Sequence, residues 1–206
     1  MDRVVCSRGT SRAEGAADLD RAIALAPESP DVRFIVADAY TYGNVPDPQH
    51  AFAEASFELA GGLNTPRVHA IFASAYLALG NQLTAAAKFR THIELVTTQV
   101  VQAAPFTAGA MLTLPLVLGG AAKFPFLSRP ERGSRPWTSS RDFYETILVL
   151  LAPDGPPVLG SHDYGQYFAG EYFAGFQWVA VTTGTYRIWV TSFESVNTGD
   201  LIASRS

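Results

Sequence analysis

Four histidines are the side chains best suited to catalysis or metal binding in this chain. They are His50, His69, His92 and His162; no HExxH helix motif contains them, and no two have the spacing of a metal site. The run Ser161-His162-Asp163 holds the residue types of a hydrolase triad, but consecutive residues point apart and cannot form the relay. Nucleophile-elbow, Walker and GxGxxG motifs are also absent. The sequence therefore predicts no catalytic residue and no enzyme.

Five carboxylates near the ends of predicted strands could support a different chemistry. Calcium prefers six to eight oxygen ligands from carboxylates and carbonyls. The alternative is local structure, because a tight turn explains Asp154 and backbone N–H groups offer hydrogen bonds to Asp142. Calcium is the one cofactor that the pattern leaves open. Its candidate ligands are Asp142, Glu145, Asp154, Asp163 and Asp200.

Aromatic residues crowd the stretch from Tyr164 to Trp178. Aromatic rings stack on sugars or anchor protein partners, and they equally fill one end of a β fold. Three glycines before Phe176 favour a long loop with aromatic anchors, and we favour packing over ligand binding. The loop residues concerned are Tyr164, Tyr167, Phe168, Tyr172 and Phe173.

Charge and composition narrow the class of partner. The 206 residues carry a net charge of −4 with a pI near 5.5, so no basic field is available to hold nucleic acid. The hydrophobic share of 48% is that of a globular protein, and the length allows two small domains. The single cysteine, Cys6, excludes an internal disulfide.

Two segments bear on membrane insertion and export. Residues from Leu95 to Ala122 carry no charge, but Pro105, Pro115 and several glycines favour a linker and a strand over a membrane-spanning helix. Residues 1–15 contain three arginines and no long apolar run, so they do not form a secretory signal.

The front half of the chain contains an internal repeat. The segment from Pro30 to Tyr40 aligns with the segment from Pro66 to Tyr76, an offset of 36 residues (66 − 30). Each predicted helix is followed by a second, at Ala51–Ala60 and Ala85–Leu95, and a single helix at Ala17–Leu25 precedes them. The pattern predicts stacked helical hairpins.

The second hairpin resembles a tetratricopeptide repeat, through Ala73, Tyr76, Gly80, Ala85 and Phe89. A generic pair of helical hairpins is the alternative, since the first hairpin has a proline-rich insertion and its glycine falls one place early. The resemblance implies a concave groove that binds peptides or proteins. Its lining would be Asp31, Phe34, Asp38, Thr41, Arg67, Ala70, Ser74 and Leu77.

The back half predicts β structure. Short apolar runs alternate with turn residues, and Tyr186–Thr191 shows the period-two pattern of a half-buried strand. Ile147–Leu151 is continuously apolar, which is typical of a central strand covered on both faces. Six or seven strands indicate an antiparallel sandwich. The predicted strands are Leu112–Leu118, Lys123–Leu127, Thr146–Ala152, Phe176–Ala180, Thr185–Ser192 and Asp200–Ser204.

A second resemblance covers this half. The strand running into Ala152-Pro153-Asp154-Gly155, the acidic His162-Asp163, the strand Thr183–Val190 and the closing Asn197–Asp200 are similar in order to the bacterial pre-peptidase C-terminal domain. Ala152 replaces the frequent first aspartate, and Gly133–Trp137 is rich in arginine and proline where a strand is expected. The resemblance implies a non-catalytic accessory module and an extracytoplasmic location.

The sequence as a whole predicts a multidomain chain of helical repeats followed by a β-sandwich. Its parts are a frayed N-terminus at 1–14, helical repeats at 15–99, a linker at 100–110 and the β domain at 111–206. The predicted function is protein binding or scaffolding, with a protein or peptide as partner. The alternative is the accessory part of a secreted peptidase or other hydrolase whose catalytic domain lies outside this chain.

Overall fold

The computed structural model describes residues 12–43, 46–102, 105, 111–116, 120–128, 133–134, 136–140, 146–162, 167–168, 171–175, 178–192 and 199–205. Within these ranges the chain forms five α-helices and then a series of β-strands. It divides into two compact units, one ending at Asn64 and one beginning at Thr65. None of the helices in these ranges has the length and hydropathy needed to cross a bilayer.

Three helices form the first unit, α1 Arg12–Leu25, α2 Pro30–Tyr42 and α3 Pro48–Ala60. Ser29 caps α2, because its side-chain oxygen accepts the backbone N–H of Val32 at 3.4 Å. Asp47 caps α3 in the same way, at 3.0 and 3.1 Å from the next N–H groups. A proline follows each cap, at a position where the missing N–H would have had no helical partner. These signals explain why the helices begin where they do.

Two further helices open the second unit, α4 Pro66–Ala78 and α5 Gln82–Val96. Thr65 and Asn81 supply their caps through side-chain oxygens. The five helices fit the helical hairpins that the sequence predicts, and each extends one to five residues beyond the predicted bounds. Helix α1 already includes residues 12–14, which the sequence assigned to a frayed terminus.

The strands of the second unit form two five-stranded sheets and one two-stranded sheet. The first sheet has the order β1-β3-β11-β6-β7, the second β2-β12-β5-β9-β8, and β10 pairs with β4. All pairings are antiparallel except that of β1 with β3. The strands are β1 Gln99–Gln102, β2 Met111–Leu116, β3 Gly120–Ser128, β4 Gly133–Ser134, β5 Pro136–Ser140, β6 Thr146–Leu151, β7 Pro157–His162, β8 Tyr167–Phe168, β9 Glu171–Gly175, β10 Trp178–Val179, β11 Gly184–Ser192 and β12 Gly199–Arg205.

The hairpin α4–α5 packs on one face of the first sheet and forms a common core with it. Helix residues and strand residues belong to the same buried cluster, and burial of this apolar surface is the main force holding helices and sheet together. The cluster comprises Ala70, Ala73, Phe89, Ile93, Ala121, Ile147, Val149, Leu151 and Trp189, with Leu77 packed against it. Phe89 is the largest fully buried side chain of the described residues.

Gly160 on β7 lets α5 approach the sheet. A Cβ atom at this position would lie 2.6 Å from Cδ2 of Phe89 and 3.1 Å from Cα of Ala86. Both distances are below ordinary van der Waals contact, so a side chain larger than hydrogen would push the helix away. The close approach of α5 to β7 therefore depends on this glycine.

Strand β6 is buried along its whole length, from Thr146 to Leu151. Ile147, Val149 and Leu151 join the cluster beneath the helices. Leu148 and Leu150 alternate with them on the other face and are also buried. The prediction of a central strand covered on both faces is confirmed.

The predicted turn after β6 is confirmed in detail. The N–H of Gly155 donates to the carbonyl of Ala152 at 3.0 Å, and the N–H of Ala152 donates to the carbonyl of Pro156 at 2.9 Å. Gly155 has φ of 105°, a conformation that side chains with a Cβ rarely adopt. The Pro-Asp-Gly sequence thus folds as its turn chemistry dictates.

The interpretation of the aromatic stretch as one long loop is wrong. Tyr167 and Phe168 lie in β8, while Tyr172 and Phe173 lie in β9, and the two short strands pair with each other. Tyr164 lies outside the described residues. Alternation of polar and apolar residues is too brief over two to five residues to distinguish a strand from a loop.

The strand count also exceeds the prediction of six or seven, since the described residues contain twelve. The additional strands are mostly short, and β4 and β5 lie in the arginine- and proline-rich stretch. The sequence grouped both helical hairpins in one domain, whereas α4–α5 shares its compact unit with the strands. The cause is the apolar face that these two helices share with the sheet.

Candidate functional site

The first candidate site is the side of α2 that carries the predicted groove residues. The predicted groove residues on this helix are separated by three, four and three positions, so they lie along one side. Asp31 is exposed, and Phe34, Asp38 and Thr41 are half-buried. The hydroxyl of Thr41 donates to the carbonyl of Ala37 at 2.7 Å, so its polar group is engaged by the helix itself. Its chemically distinctive members are the carboxylates of Asp31 and Asp38 and the ring of Phe34.

Ile35 adds an exposed apolar side chain to this face and was not among the predicted site residues. It retains 55% of its accessible surface, next to Phe34 and one helical turn from Asp31 and Asp38. The helical period places Ile35 on a different side of α2 from the buried Val36 and Tyr40. Periodicity alone does not show which apolar residues the core leaves uncovered. We define the α2 face as Asp31, Phe34, Ile35 and Asp38.

A buried cation holds the opposite side of α2 against α3. The Arg33 guanidinium contacts the Glu54 carboxylate at 2.6 Å and donates through Nε to the carbonyl of Pro27 at 2.9 Å. Its carbon lies 4.1 Å from the centre of the Phe57 ring. The side chains of Arg33 and Glu54 are 16% and 9% exposed. This arrangement fixes how α2 is rotated and therefore which side chains it exposes.

A second polar chain links the three helices of this unit. The hydroxyl of Tyr40 donates to Asp20 at 3.4 Å, and its ring stacks on His50 with 5.0 Å between ring centroids. His50 in turn contacts Asp47 at 2.8 Å. Burial, followed by the Asp20 carboxylate, raises the pKa of Tyr40, and the hydrogen bond from His50 lowers the pKa of Asp47. These contacts support helix packing and bring together no pair of groups suited to catalysis.

The groove residues predicted on α4 lie in a different environment. Arg67 is exposed, but Ser74 is 7% exposed and Ala70 is fully buried. Leu77 packs against the core cluster beneath the helices. Of these four residues Arg67 is therefore the one that is exposed, and Ala70 and Ser74 are buried. The predicted groove residues on α2 belong to the first unit and those on α4 to the second.

The candidate calcium ligands do not form a site among the described residues. Asp154 is exposed in the turn after β6, and the backbone of Asp200 lies in β12. Asp142, Glu145 and Asp163 lie outside the described residues. Where the structure describes side chains, no three His, Cys, Asp or Glu residues lie close enough together to hold a metal ion. Calcium binding stays a prediction.

The histidines with described side chains have separate structural roles. His92 is completely buried, with Nδ1 2.8 Å from the carbonyl oxygen of Pro66. His69 is 6% exposed on α4. Burial, and secondarily the charge of Lys88, lowers the pKa of His69 below its ordinary value of 6.5. Ser161 and His162 are consecutive residues of β7, and Asp163 lies outside the described residues.

We expect His69 to make the second unit sensitive to mild acid. The unfolded chain binds a proton at His69 as the pH falls through 6.5, whereas the folded chain resists protonation until a lower pH. The contribution of His69 to stability is therefore intact above pH 6.5 and is lost below it. Urea unfolding of the native chain and of His69→Gln at a series of pH values measures the difference in slope. Equal slopes for the native chain and for His69→Gln would contradict the expectation.

Comparisons with known proteins give no family assignment. No protein-family model matches the chain, and no curated protein matches it. Among solved structures, the pre-peptidase C-terminal domain of a Bacillus anthracis collagenase is similar over 53% of this chain and 96% of that one, at 10% identity and a TM-score of 0.35. A family GH115 4-O-methyl-α-glucuronidase with specificity for decorated arabinogalactans is similar over 98% of this chain and 34% of that one, at 10% identity and a TM-score of 0.32. These scores are too low to carry an argument about function.

Proposed function

We propose that this chain is a non-catalytic binding protein whose first unit takes a protein partner on the α2 face. The observation that supports this proposal is Ile35, an apolar side chain that remains 55% exposed between two carboxylates. Exposed apolar surface rimmed by polar residues marks sites where proteins bind one another, and Phe34 extends the apolar surface beside Ile35. A partner segment with apolar and basic side chains matches this face in both hydrophobicity and charge.

The anchoring of α2 supports the proposal because binding surfaces need rigid positioning. The contact of Arg33 with Glu54 and Phe57 holds α2 on its inner side. Tyr40 holds it through Asp20 on α1. With these contacts in place, little conformational freedom of the helix is lost on binding.

Selection of peptides from a random display library on the full chain tests the proposal. We expect the selected peptides to combine lysine or arginine with apolar residues. Ile35→Ser should weaken their binding by about tenfold, since loss of one central apolar contact costs about 1–2 kcal/mol. Asp31→Asn should weaken it less and should reduce its dependence on salt concentration.

An acidic residue outside the α2 face provides the matched control. Asp154 is exposed in the turn after β6, so Asp154→Asn makes the same chemical change in the second unit. Binding of the selected peptides should be unaffected by this variant. If the library yields no binding peptide, or if the peptides bind Ile35→Ser as well as the native chain, the proposal is wrong. Asp38 is left unchanged, because one of its oxygens is buried.

We further propose that the helical hairpins belong to the tetratricopeptide class and that the two five-stranded sheets form a sandwich. The repeat offset and the residues Ala73, Tyr76, Gly80, Ala85 and Phe89 support the first assignment. The burial of both faces of β6 supports the second. An extracytoplasmic location and optional calcium in the β half belong to the same proposal, through the sequence resemblance alone.

The second candidate function is the accessory part of a secreted peptidase or other hydrolase. The observation that favours it is the turn Ala152–Gly155, which follows an apolar strand as in the motif order of pre-peptidase C-terminal domains. The surrounding genomic sequence distinguishes the candidates. A hydrolase domain in the same reading frame supports the accessory role, whereas further helical repeats support the binding role.

A further inference from the structure

Among the described residues, β1 is the more exposed of the two edge strands of the first sheet. Strand β1 stands at the end of the order β1-β3-β11-β6-β7, and among the described strands only β3 pairs with it. Gln99, Val100 and Gln102 are exposed, with 40% of the Val100 surface accessible. An edge of this kind presents backbone N–H and C=O groups that can pair with another strand.

The opposite edge of the same sheet carries devices against strand addition that β1 lacks, although β1 is the shorter strand with four residues. Strand β7 begins with Pro157, which has no N–H to donate, and its pairing with β6 shifts register between Leu150 and Leu151. Helix α5 also packs on β7, above Gly160. None of these devices appears in β1, whose residues are Gln-Val-Val-Gln. This asymmetry distinguishes β1 as a docking edge.

Charge is also absent from the edge. No Asp, Glu, Lys or Arg occurs between Glu94 and Lys123, so the whole surrounding segment is neutral. Lys123 is paired in register with Gln102, but its ammonium group lies 4.0 Å from the Trp189 ring centre. Charged residues, above all lysine, are the usual means by which proteins prevent edge pairing. A neutral edge does not repel an identical edge.

We propose that β1 is a self-association site, where the outer edge pairs antiparallel with β1 of a second copy of this chain. In an antiparallel pair, side chains opposite each other lie on the same face of the sheet. A two-fold axis perpendicular to the sheet must therefore pass between one residue and the same residue of the second copy. An axis at Val100 brings Val100 opposite Val100 of the second copy. It also brings Gln99 opposite Val101, and Thr98, the residue before β1, opposite Gln102, each pair occurring twice. The strand is therefore self-complementary, with an apolar centre and neutral polar ends.

The resulting dimer joins two five-stranded sheets into one continuous sheet. Backbone groups on both edges gain partners, and the two Val100 side chains shield one another from water. The contact involves only about five residues of each copy, so we expect a weak dimer that dissociates on dilution. Self-association goes beyond the proposed binding role of the first unit and does not depend on it.

Sedimentation of the full chain over a range of concentrations tests this proposal. The native chain should show a reversible monomer–dimer equilibrium. In Val100→Lys, two like charges lie opposite each other across the axis, and the dissociation constant should rise by roughly tenfold or more. The matched control is Val181→Lys, because Val181 is 82% exposed and lies outside the strands. Dimerisation of this variant should equal that of the native chain.

Mixing two variants tests the register. Val100→Lys and Val100→Asp should each be monomeric alone, and their equimolar mixture should form a heterodimer, since opposite charges then meet at the axis. Thermal unfolding of each variant shows that loss of the dimer is not loss of the fold. The proposal is overturned by a native chain that stays monomeric at every concentration, by a Val100→Lys variant that dimerises like the native chain, or by a mixture that stays monomeric. If the native chain stays monomeric and β1 instead pairs with an extended peptide from another protein, self-association is likewise overturned.

Discussion

Replacing Phe89 with alanine will lower the free energy of unfolding of the second unit by about 3–5 kcal/mol. Phe89 is completely buried and joins α5 to the sheet in a core shared with Ile147, Val149 and Trp189. Truncation leaves a cavity that the rigid β6 strand cannot fill. All three tryptophans lie in this unit, so tryptophan fluorescence during urea unfolding measures its stability. Leu83→Ala on the same helix is the control, because Leu83 is 64% exposed and should change stability by less than about 0.5 kcal/mol.

Gly160 provides a sharper form of the same test. Gly160→Ala alone should cost about 1–3 kcal/mol, because the new Cβ atom would lie 2.6 Å from Phe89. In the Phe89→Ala background that ring is gone, so the alanine at position 160 should cost less or even restore part of the stability. The two effects are therefore non-additive. Additive losses would mean that α5 does not contact β7 at Gly160.

Replacing Arg33 with alanine will destabilise the first unit by about 3 kcal/mol. Glu54 is 7% exposed, and loss of the guanidinium at 2.6 Å leaves its carboxylate buried without its cation. The hydrogen bond to Pro27 and the contact with Phe57 are lost as well. The first unit contains no tryptophan, so the helical circular dichroism signal is the appropriate measurement.

Two further variants distinguish the loss of this ion pair from the general effect of removing an arginine side chain. Arg21→Ala, an exposed arginine on α1, should change stability by less than about 0.5 kcal/mol. Glu54→Leu combined with Arg33→Ala should be more stable than the sum of the two single losses, because no buried charge then lacks its counterion. If the double variant shows the full sum, burial of the Glu54 carboxylate is not the source of the effect.

Loss of this ion pair should also weaken peptide binding at the α2 face, since Arg33 sets the rotation of the helix.

Local signals in the sequence determined the helices and the principal turn. Ser29, Asp47 and Thr65 each precede a proline, and this combination of cap and first helical residue acts over a few neighbouring residues. Ala152–Gly155 likewise contains all the groups of its own turn. The continuous apolar run of β6 required burial on both faces wherever the strand was placed. In each case the residues that produce the structure lie in the same short segment as the structure itself.

Tertiary structure decided which surfaces remain open. The helical period marks an apolar side on both α2 and α4, but only contacts between distant segments determine what covers each side. Leu77 on α4 packs against the cluster that strand residues 147–151 and 189 share with the helices, while Arg33 contacts Glu54, 21 residues away, and Ile35 stays exposed on α2. The order of strands in the sheet made β1 an edge, although its sequence is equally compatible with a central strand. The sequence alone therefore determined the helices, strand β6 and the turn after it. Long-range packing and strand order determined the two surfaces proposed for binding, because both depend on contacts between residues far apart in the chain.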